Sequence, residues 1–278
     1  MKTSKKSFYS IIIFSILAGL SLSLGACKKH KEIDLSSIHS SPASTQAQTM
    51  ASTKESSSEV PKTTSAKSTE AAKTEKIESS AKKYTEGKLQ LDYPQISGIE
   101  DSQKLSEINA LIENNVKSVI PALGLDPQKD SMEIKSSVIS ADRKRLIIVY
   151  RGTYQKSGEK EKHNLFFTNN IDINAGKNLG LNDFTDPYTM AGYLLSDDVL
   201  LADANEELSK AFMEGRKQKT LEEYTKLLSN SDFPIKAENG GSFPSSFSYI
   251  KNGDIYFSIP LDHALGDYVI IKYSPSSK

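Results

Sequence analysis

A histidine flanked by two aspartates near the end of the chain is the clearest set of residues with acid–base or metal-binding chemistry. The sequence has four histidines, and His263 stands between Asp262 and Asp267, with Gly266 in the same stretch. Two carboxylates beside an imidazole can shift its pKa or hold a metal ion. Asp and Gly are also the residues that tight turns require, so a purely structural loop is the alternative. Asp262, His263, Gly266 and Asp267 are therefore a candidate loop site. The sequence assigns no catalytic residue and no metal ligand, and we expect no cofactor.

A dense group of carboxylates precedes this stretch. Its members are Asp197, Asp198, Asp203, Glu206 and Glu207. As an exposed face they would attract a basic protein and bind it less tightly as salt increases. Acidic residues are also ordinary in the first turns of a helix, where they complement the helix dipole. We expect a helix from about residue 197 to 214, with this acidic group as a candidate partner-binding surface.

The single cysteine of the chain, Cys27, follows an apolar run over residues 11–24 and two small residues. Lysines at positions 2, 5 and 6 precede the run, which gives the charged, apolar and small-residue order of an export signal. The sequence Leu24-Gly25-Ala26-Cys27 resembles the lipobox of bacterial lipoproteins, in which the leader is removed and the cysteine sulfur carries a diacylglyceryl group. A retained membrane-spanning anchor is the alternative, but the run is shorter than the roughly 20 residues that a bilayer requires. We expect a signal peptide over residues 1–26, lipidation at Cys27, and a lipid anchor at the extracytoplasmic face of the cell membrane.

Residues 27–84 are rich in Ser, Thr, Lys, Ala and Glu and contain few large apolar side chains. This composition cannot bury enough apolar surface to offset the entropy of ordering, so we expect a disordered tether. Residues 85–278 contain 22 Lys and Arg against 28 Asp and Glu, although the whole chain has a formal net charge of zero. An acidic folded part disfavours nucleic acid as a partner and favours a cationic one.

Residues 85–278 combine strand and helix patterns. Leu89, Leu91 and Tyr93 alternate with polar residues as in a half-buried strand, and apolar residues recur every three or four positions over 105–119 as in a helix. Further strands are predicted near residues 132–140, 146–150, 163–173, 246–251, 254–260 and 268–273, with helices between 183 and 228. This order predicts an α+β fold with antiparallel sheets and helices packed on them. We divide it into an N-terminal part, residues 85–186, and a C-terminal part, residues 187–278.

Several short motifs, in their order along the chain, resemble a two-part extracellular domain family of unknown function. They are Tyr93-Pro94-Gln95-Ile96-Ser97-Gly98 with Ile108-Asn109, Asn170-Ile171-Asp172-Ile173 with Gly176-Lys177 and Leu181-Asn182-Asp183, Phe247-Ser248-Tyr249, and His263-Ala264-Leu265-Gly266-Asp267-Tyr268. The family is similar to the lysozyme-sensing ectodomain of a membrane anti-sigma factor and to the region that precedes the catalytic domain of certain peptidoglycan deacetylases. The resemblance implies a binding module for a wall polymer or a wall-attacking enzyme.

These observations lead to two function hypotheses. The first is a cell-surface lipoprotein that acts as a non-catalytic binding or sensing module for a cationic, lysozyme-like protein or a peptidoglycan fragment. The second is a cell-envelope hydrolase or accessory enzyme that uses His263 with Asp262 or Asp267.

Overall fold

The structure, a computed structural model, describes residues 76–236 and 240–275. The predicted signal peptide, the lipobox with Cys27, and residues 27–75 of the predicted tether lie outside the described residues. The described part has ten strands in two sheets and five α-helices, so the predicted α+β class is confirmed. None of these described helices combines the length and the hydropathy needed to cross a bilayer.

The first sheet has six strands that lie side by side in chain order. They are β1 (Glu78–Glu86), β2 (Leu89–Ser97), β3 (Ser131–Ala141), β4 (Arg145–Gln155), β5 (His163–Asp172) and β6 (Lys177–Leu179). All neighbours are antiparallel except β2 and β3, which are parallel and pair Leu89 with Met132 and Leu91 with Ile134. The predicted antiparallel pairing holds for the other neighbours, and this one parallel pair makes the first sheet mixed. A long helix connects the two strands, and such a crossover returns the chain in the same direction.

Strand β1 shows that the folded part begins earlier than the sequence indicated. Residues 78–84 were predicted to belong to the tether, yet they pair in register with β2, from Glu78 opposite Ser97 to Glu86 opposite Leu89. Nearly every side chain of β1 is exposed. An exposed edge strand is held by backbone hydrogen bonds and needs no apolar alternation, so its composition matches that of a linker.

Helix α1 (Ser102–Ala122) confirms the predicted helix and its apolar stripe. Asp101 caps its first turn by accepting hydrogen bonds from the backbone N–H groups of Gln103 and Lys104. The stripe residues Ile108, Ile112, Val116 and Val119 are fully buried among the residues of the first sheet. The middle strand, β4, is buried on both faces over residues 146–150, as its continuous apolar run predicted.

Four shorter helices follow the first sheet. They are α2 (Leu181–Phe184), α3 (Pro187–Leu195), α4 (Glu206–Gly215) and α5 (Leu221–Ser229). Helix α5 begins at the capping box formed by Thr220 and Glu223. The predicted helix over 197–214 is wrong in its first half, because Asn205 caps α4 and Asp203 adopts a left-handed φ of 58° that interrupts any helix.

The second sheet has the strand order β7, β10, β9, β8 and is wholly antiparallel. Its strands are β7 (Leu200–Ala202), β8 (Ser248–Lys251), β9 (Asp254–Pro260) and β10 (Tyr268–Tyr273). Asn252 and Gly253 join β8 to β9 with φ angles of 54° and 85°, the two positive values that a type I′ turn requires. The strands predicted near 246–251 and 254–260 are therefore confirmed, and they form a hairpin.

The second sheet lies between two hydrophobic cores. Val269 and Ile271 of β10 belong to the core shared with helices α2 to α5, whereas Ile270 belongs to the core of the first sheet and α1. This alternation follows the two-residue period of a strand with both faces covered. The chain from β9 through the following loop into β10 can therefore contact elements of both cores.

Candidate functional site

The loop between β9 and β10 contains the histidine that the sequence singled out. Residues His263–Leu265 form a single 3₁₀ turn, closed by hydrogen bonds to the Asp262 carbonyl from the backbone N–H groups of Leu265 and, at 3.5 Å, Asp267. Gly266 and Asp267 both have left-handed φ angles, 94° and 70°. Two successive left-handed residues reverse the chain sharply, and this reversal turns the Asp267 side chain toward the start of β5.

The carboxylate of Asp267 joins this loop to the first sheet. Its Oδ1 atom lies 2.9 Å from Nδ1 of His263 and 3.0 Å from Nδ1 of His163, the first residue of β5. Its Oδ2 atom accepts a hydrogen bond of 2.6 Å from the backbone N–H of Asn164. One carboxylate therefore contacts two imidazoles from sequence positions about a hundred residues apart. We name His163, His263 and Asp267 the His–Asp–His cluster.

Two glutamates flank the outer nitrogens of the two rings. Nε2 of His163 lies 3.4 Å from Glu159, and Nε2 of His263 lies 3.2 Å from Glu161. The ring centroids of the two histidines are 4.3 Å apart, and Tyr154 stacks on His163 at 5.0 Å. Each imidazole therefore has a carboxylate near both of its nitrogens.

The electrostatics of the cluster favour a cation next to Asp267. The hydrogen bond to Asp267 and the nearby Glu161 carboxylate raise the pKa of His263 above its usual value. Partial burial pushes the pKa of Asp267 upward, but the hydrogen bonds from His163, Asn164 and His263 outweigh burial and leave that pKa below its usual value. The Asp267 carboxylate is therefore ionised at neutral pH and holds positive charge on the ring beside it.

The structure brings together only part of the predicted loop site. His263 and Asp267 meet, and Gly266 supplies the turn, but Asp262 contributes its backbone carbonyl and lines a separate surface cleft of about 500 Å³ beside α4. His163 was not predicted as a site residue, because its neighbours in the sequence indicate only the start of a strand. Composition contained a signal for it. Only two of the four histidines of the chain lie outside residues 27–84, so His163 was the one other histidine of the predicted folded part.

The five predicted partner-binding acids are all exposed, but they do not share a helix. Asp197 and Asp198 lie in the turn before β7, and only Glu206 and Glu207 lie in the first turn of α4. Asp203 follows β7 and approaches Arg151 to 4.0 Å, while the Asp197 carboxylate lies 3.4 Å from the buried Arg216 guanidinium. The acids therefore surround a short edge strand instead of forming one face of a helix.

A longer acidic segment, residues 178–209, contains these five residues. It has seven Asp and Glu and no Lys or Arg, and all seven acids are exposed. The two exposed large apolar side chains of the described residues, Tyr188 at 57% and Leu200 at 53%, lie in the same segment. Charge and exposed apolar surface therefore coincide in this part of the fold.

The described part of the chain is thus an α+β domain with two sheets, an acidic segment and a His–Asp–His cluster.

No known family model matches the chain, and no curated protein sequence matches it. Two solved structures, both described as DUF3298 family proteins, are similar to it. The one from Bacteroides fragilis has 13% identity and a TM-score of 0.36, and it is covered to 90% by an alignment that includes 72% of this chain. The one from Pseudomonas aeruginosa PAO1 has 12% identity, a TM-score of 0.34 and the same coverage. Neither description names a ligand or a reaction.

Proposed function

We propose that this protein is a cell-surface lipoprotein whose folded part is a non-catalytic binding or sensing module for a cationic, lysozyme-like protein. A peptidoglycan fragment is the other ligand that the sequence resemblance implies. The lipobox ending at Cys27 supports the anchor, and the exposed acids from Asp197 to Glu207 support a cationic ligand. The observation that carries the proposal is the composition of the acidic segment, which has seven exposed Asp and Glu and no Lys or Arg.

Charge alone would also serve solubility, so the exposed apolar residues matter to the argument. Protein interfaces combine an apolar or aromatic centre, which supplies most of the binding free energy, with a polar rim. Tyr188 and Leu200 supply exposed apolar surface in the acidic segment, and the carboxylates around them supply the rim. A surface with both properties fits a basic protein better than it fits an uncharged polymer, because complementary charge accelerates encounter and excludes acidic partners.

The acidic segment can be tested with lysozyme as a cationic probe. We expect the chain without its first 27 residues to bind immobilised lysozyme saturably at low salt. Substituting four acids together, Asp197→Asn, Asp198→Asn, Glu206→Gln and Glu207→Gln, should weaken binding about 10- to 100-fold, since each exposed charge contributes up to about 0.7 kcal/mol. The effect should shrink at about 0.5 M salt, where the Debye length is only a few Å. The Asn at position 197 retains an oxygen acceptor for Arg216, so the local fold is preserved.

A matched control removes four exposed acids from the first sheet and its connections: Glu78→Gln, Glu86→Gln, Glu100→Gln and Glu133→Gln. It changes the net charge equally and should leave lysozyme affinity within about threefold, because these charges lie outside the acidic segment. Equal loss of affinity in both quadruple variants would mean that net charge, and not this surface, determines binding. Binding to peptidoglycan fragments without binding to lysozyme would reassign the ligand.

The second candidate function, an envelope hydrolase, is favoured by the 2.9 Å contact between His263 and Asp267. An orienting carboxylate and an imidazole are two parts of a catalytic triad, but a nucleophile must reach the imidazole. Each imidazole has Asp267 at Nδ1 and a glutamate at Nε2, so a hydroxyl nucleophile would have to displace one of these carboxylates, which supports the non-catalytic proposal. Turnover of wall substrate that is abolished by His263→Ala would favour the hydrolase instead.

A further inference from the structure

The His–Asp–His cluster has the ligand set of a transition-metal site. We propose that Nδ1 of His163, Nδ1 of His263 and Oδ1 of Asp267 bind one divalent transition-metal ion of the zinc class. The three residues place one ligand atom each within 4.8 Å of the other two. The site is independent of the acidic segment and adds a property that the proposed binding function does not require.

The distances within the cluster match those between neighbouring ligands of one ion. Nitrogen and oxygen ligands held about 2.0–2.1 Å from zinc lie about 2.9–3.4 Å apart when the angle at the metal is between about 90° and 110°. The two observed distances to Oδ1 of Asp267 are 2.9 Å and 3.0 Å. The two histidine nitrogens, which lie within 4.8 Å of each other, would approach each other on binding, and water would supply the fourth position of a tetrahedral site.

The protonation states of the rings make a shared cation favourable. A neutral imidazole has one N–H and one lone pair, and a carboxylate near Nε2 favours the proton on that nitrogen. Without an ion, an Nδ1–H donates to Asp267; a bound divalent ion would displace that proton, and Glu159 and Glu161 are placed to accept from Nε2–H in that state. Three acceptors then converge on one point. Protonating both rings would place two positive charges on rings only 4.3 Å apart, whereas one divalent ion satisfies all three atoms.

The glutamates also match the outer partners of metal-binding histidines. In metal sites the second ring nitrogen of each ligating histidine commonly donates to a carboxylate or a carbonyl, which fixes the tautomer and the ring orientation. Asp267 is likewise fixed, because its other oxygen accepts from the backbone of Asn164. Two imidazoles and one carboxylate suit zinc, and also copper or nickel, better than they suit calcium or magnesium, which prefer oxygen ligands.

The position of the cluster predicts what the ion would do. His163 begins β5 of the first sheet, whereas His263 and Asp267 lie in the loop before β10 of the second sheet. A bound ion would cross-link these two sheets through positions about a hundred residues apart. Since a ligand that binds only the folded state stabilises it, zinc should raise the melting temperature.

The test uses the full chain, purified without a histidine tag, treated with a chelator, and carrying His30→Gln and His39→Gln so that the cluster holds its only histidines. We expect calorimetric titration with Zn²⁺ to show one site and the melting temperature to rise with zinc. His263→Gln and Asp267→Asn should each abolish both effects. Asn tolerates the left-handed backbone at position 267, so Asp267→Asn preserves the loop.

Glu161→Gln provides a graded test, because its side chain is 78% exposed and its loss should not affect folding. Loss of an outer carboxylate partner should weaken zinc binding about 10- to 100-fold without changing the stoichiometry. Co²⁺ should give visible absorption bands that disappear in His163→Gln. Absence of zinc binding, or zinc binding that is unchanged in a folded His163→Gln/His263→Gln double variant, would overturn the proposal. Lysozyme binding by that double variant should remain intact, which separates this site from the proposed function.

Discussion

Asp232 is the most highly connected buried carboxylate of the described residues. It is 2% exposed and accepts hydrogen bonds from the backbone N–H groups of Ser248, at 2.6 Å, and Leu181, at 2.8 Å. The hydroxyl groups of Ser248 and Ser231 also donate to it, at 2.7 Å and 3.0 Å. One side chain thus links the beginning of α2, the end of α5 and strand β8, which puts it between the two sheets.

Replacing Asp232 with Ala should destabilise the fold by about 2–5 kcal/mol. The substitution leaves two buried backbone N–H groups without an acceptor, at about 1–3 kcal/mol each. It also places a Cβ-bearing residue without a local hydrogen bond at a left-handed φ of 64°. Urea unfolding followed by circular dichroism measures the loss. A midpoint within error of the unsubstituted chain would contradict the role assigned to this carboxylate.

The same residue predicts a pH dependence of stability. Burial raises the pKa of Asp232 to about 6, since the hydrogen bonds that it accepts from Ser248, Leu181 and Ser231 only partly offset its loss of water. A carboxyl with a raised folded-state pKa contributes stability that is present below about pH 4 and is lost as the pH rises through 6. The difference in unfolding free energy between the unsubstituted chain and Asp232→Ala should therefore shrink by about 2 kcal/mol from pH 4 to pH 7. A difference that grows over this range would contradict the assignment.

Some residues of the candidate site were foreseeable and others were not. His263 and Asp267 are four positions apart, so their contact follows from local sequence. His163 is a hundred residues from Asp267, and a single sequence contains no signal for a contact at that separation. Asp232 lies in the polar stretch Asn230-Ser231-Asp232, which is typical of an exposed turn. Its burial depends on tertiary packing alone.

At the scale of elements, local signals predicted helices and hairpins well. The caps at Asp101 and Thr220 and the turn at Asn252 depend on residues only a few positions away, so local sequence contains the signal for each. The segment over 197–205 was assigned to a helix because its acids match the charge preference of a helix's first turns. It instead pairs Leu200 with Lys272 of β10, a partner 72 positions away. A local sequence pattern contains no information about pairing with a strand so far along the chain.

Two glycines allow a matched test of the first sheet. A Cβ on Gly152 of β4 would lie 1.9 Å from the backbone oxygen of Glu133 on β3, whereas a Cβ on Gly192 of α3 would meet no atom within 4 Å. Gly152→Ala should therefore force β3 and β4 apart and cost about 2–3 kcal/mol or more.

Gly192→Ala should instead stabilise the fold by about 0.5–1 kcal/mol, because alanine loses less backbone entropy in a helix. Urea unfolding curves of both variants give the comparison. Equal effects of the two substitutions would show that the close approach of β3 to β4 is not rigid.

At the scale of the whole molecule, composition predicted the class of fold but not its boundary. The acidic excess and the α+β class follow from counts and from element order. The start of the folded part at β1 does not, because an exposed edge strand has the composition of a linker. A soluble fragment that begins at residue 85 would remove most of β1 and expose the edge of β2, so binding experiments require a longer chain.

The two proposed sites lie in different parts of the fold and have different roles. The acidic segment lies among α2, α3, β7 and the start of α4, whereas the His–Asp–His cluster joins β5 to the loop before β10. The first supports recognition of a cationic partner, and the second supports cross-linking of the two sheets by an ion. Substitutions can remove either the acidic segment or the His–Asp–His cluster while every residue of the other site stays unchanged.

The most direct test of the proposed binding surface is amide hydrogen exchange. It would be measured at low salt on the chain without its first 27 residues, with and without saturating lysozyme. We expect slower amide exchange confined to peptides within residues 181–209, where the exposed carboxylates surround Tyr188 and Leu200. Slower exchange confined to strands β1 to β3, or no change in residues 181–209 while lysozyme is bound, would contradict the proposal.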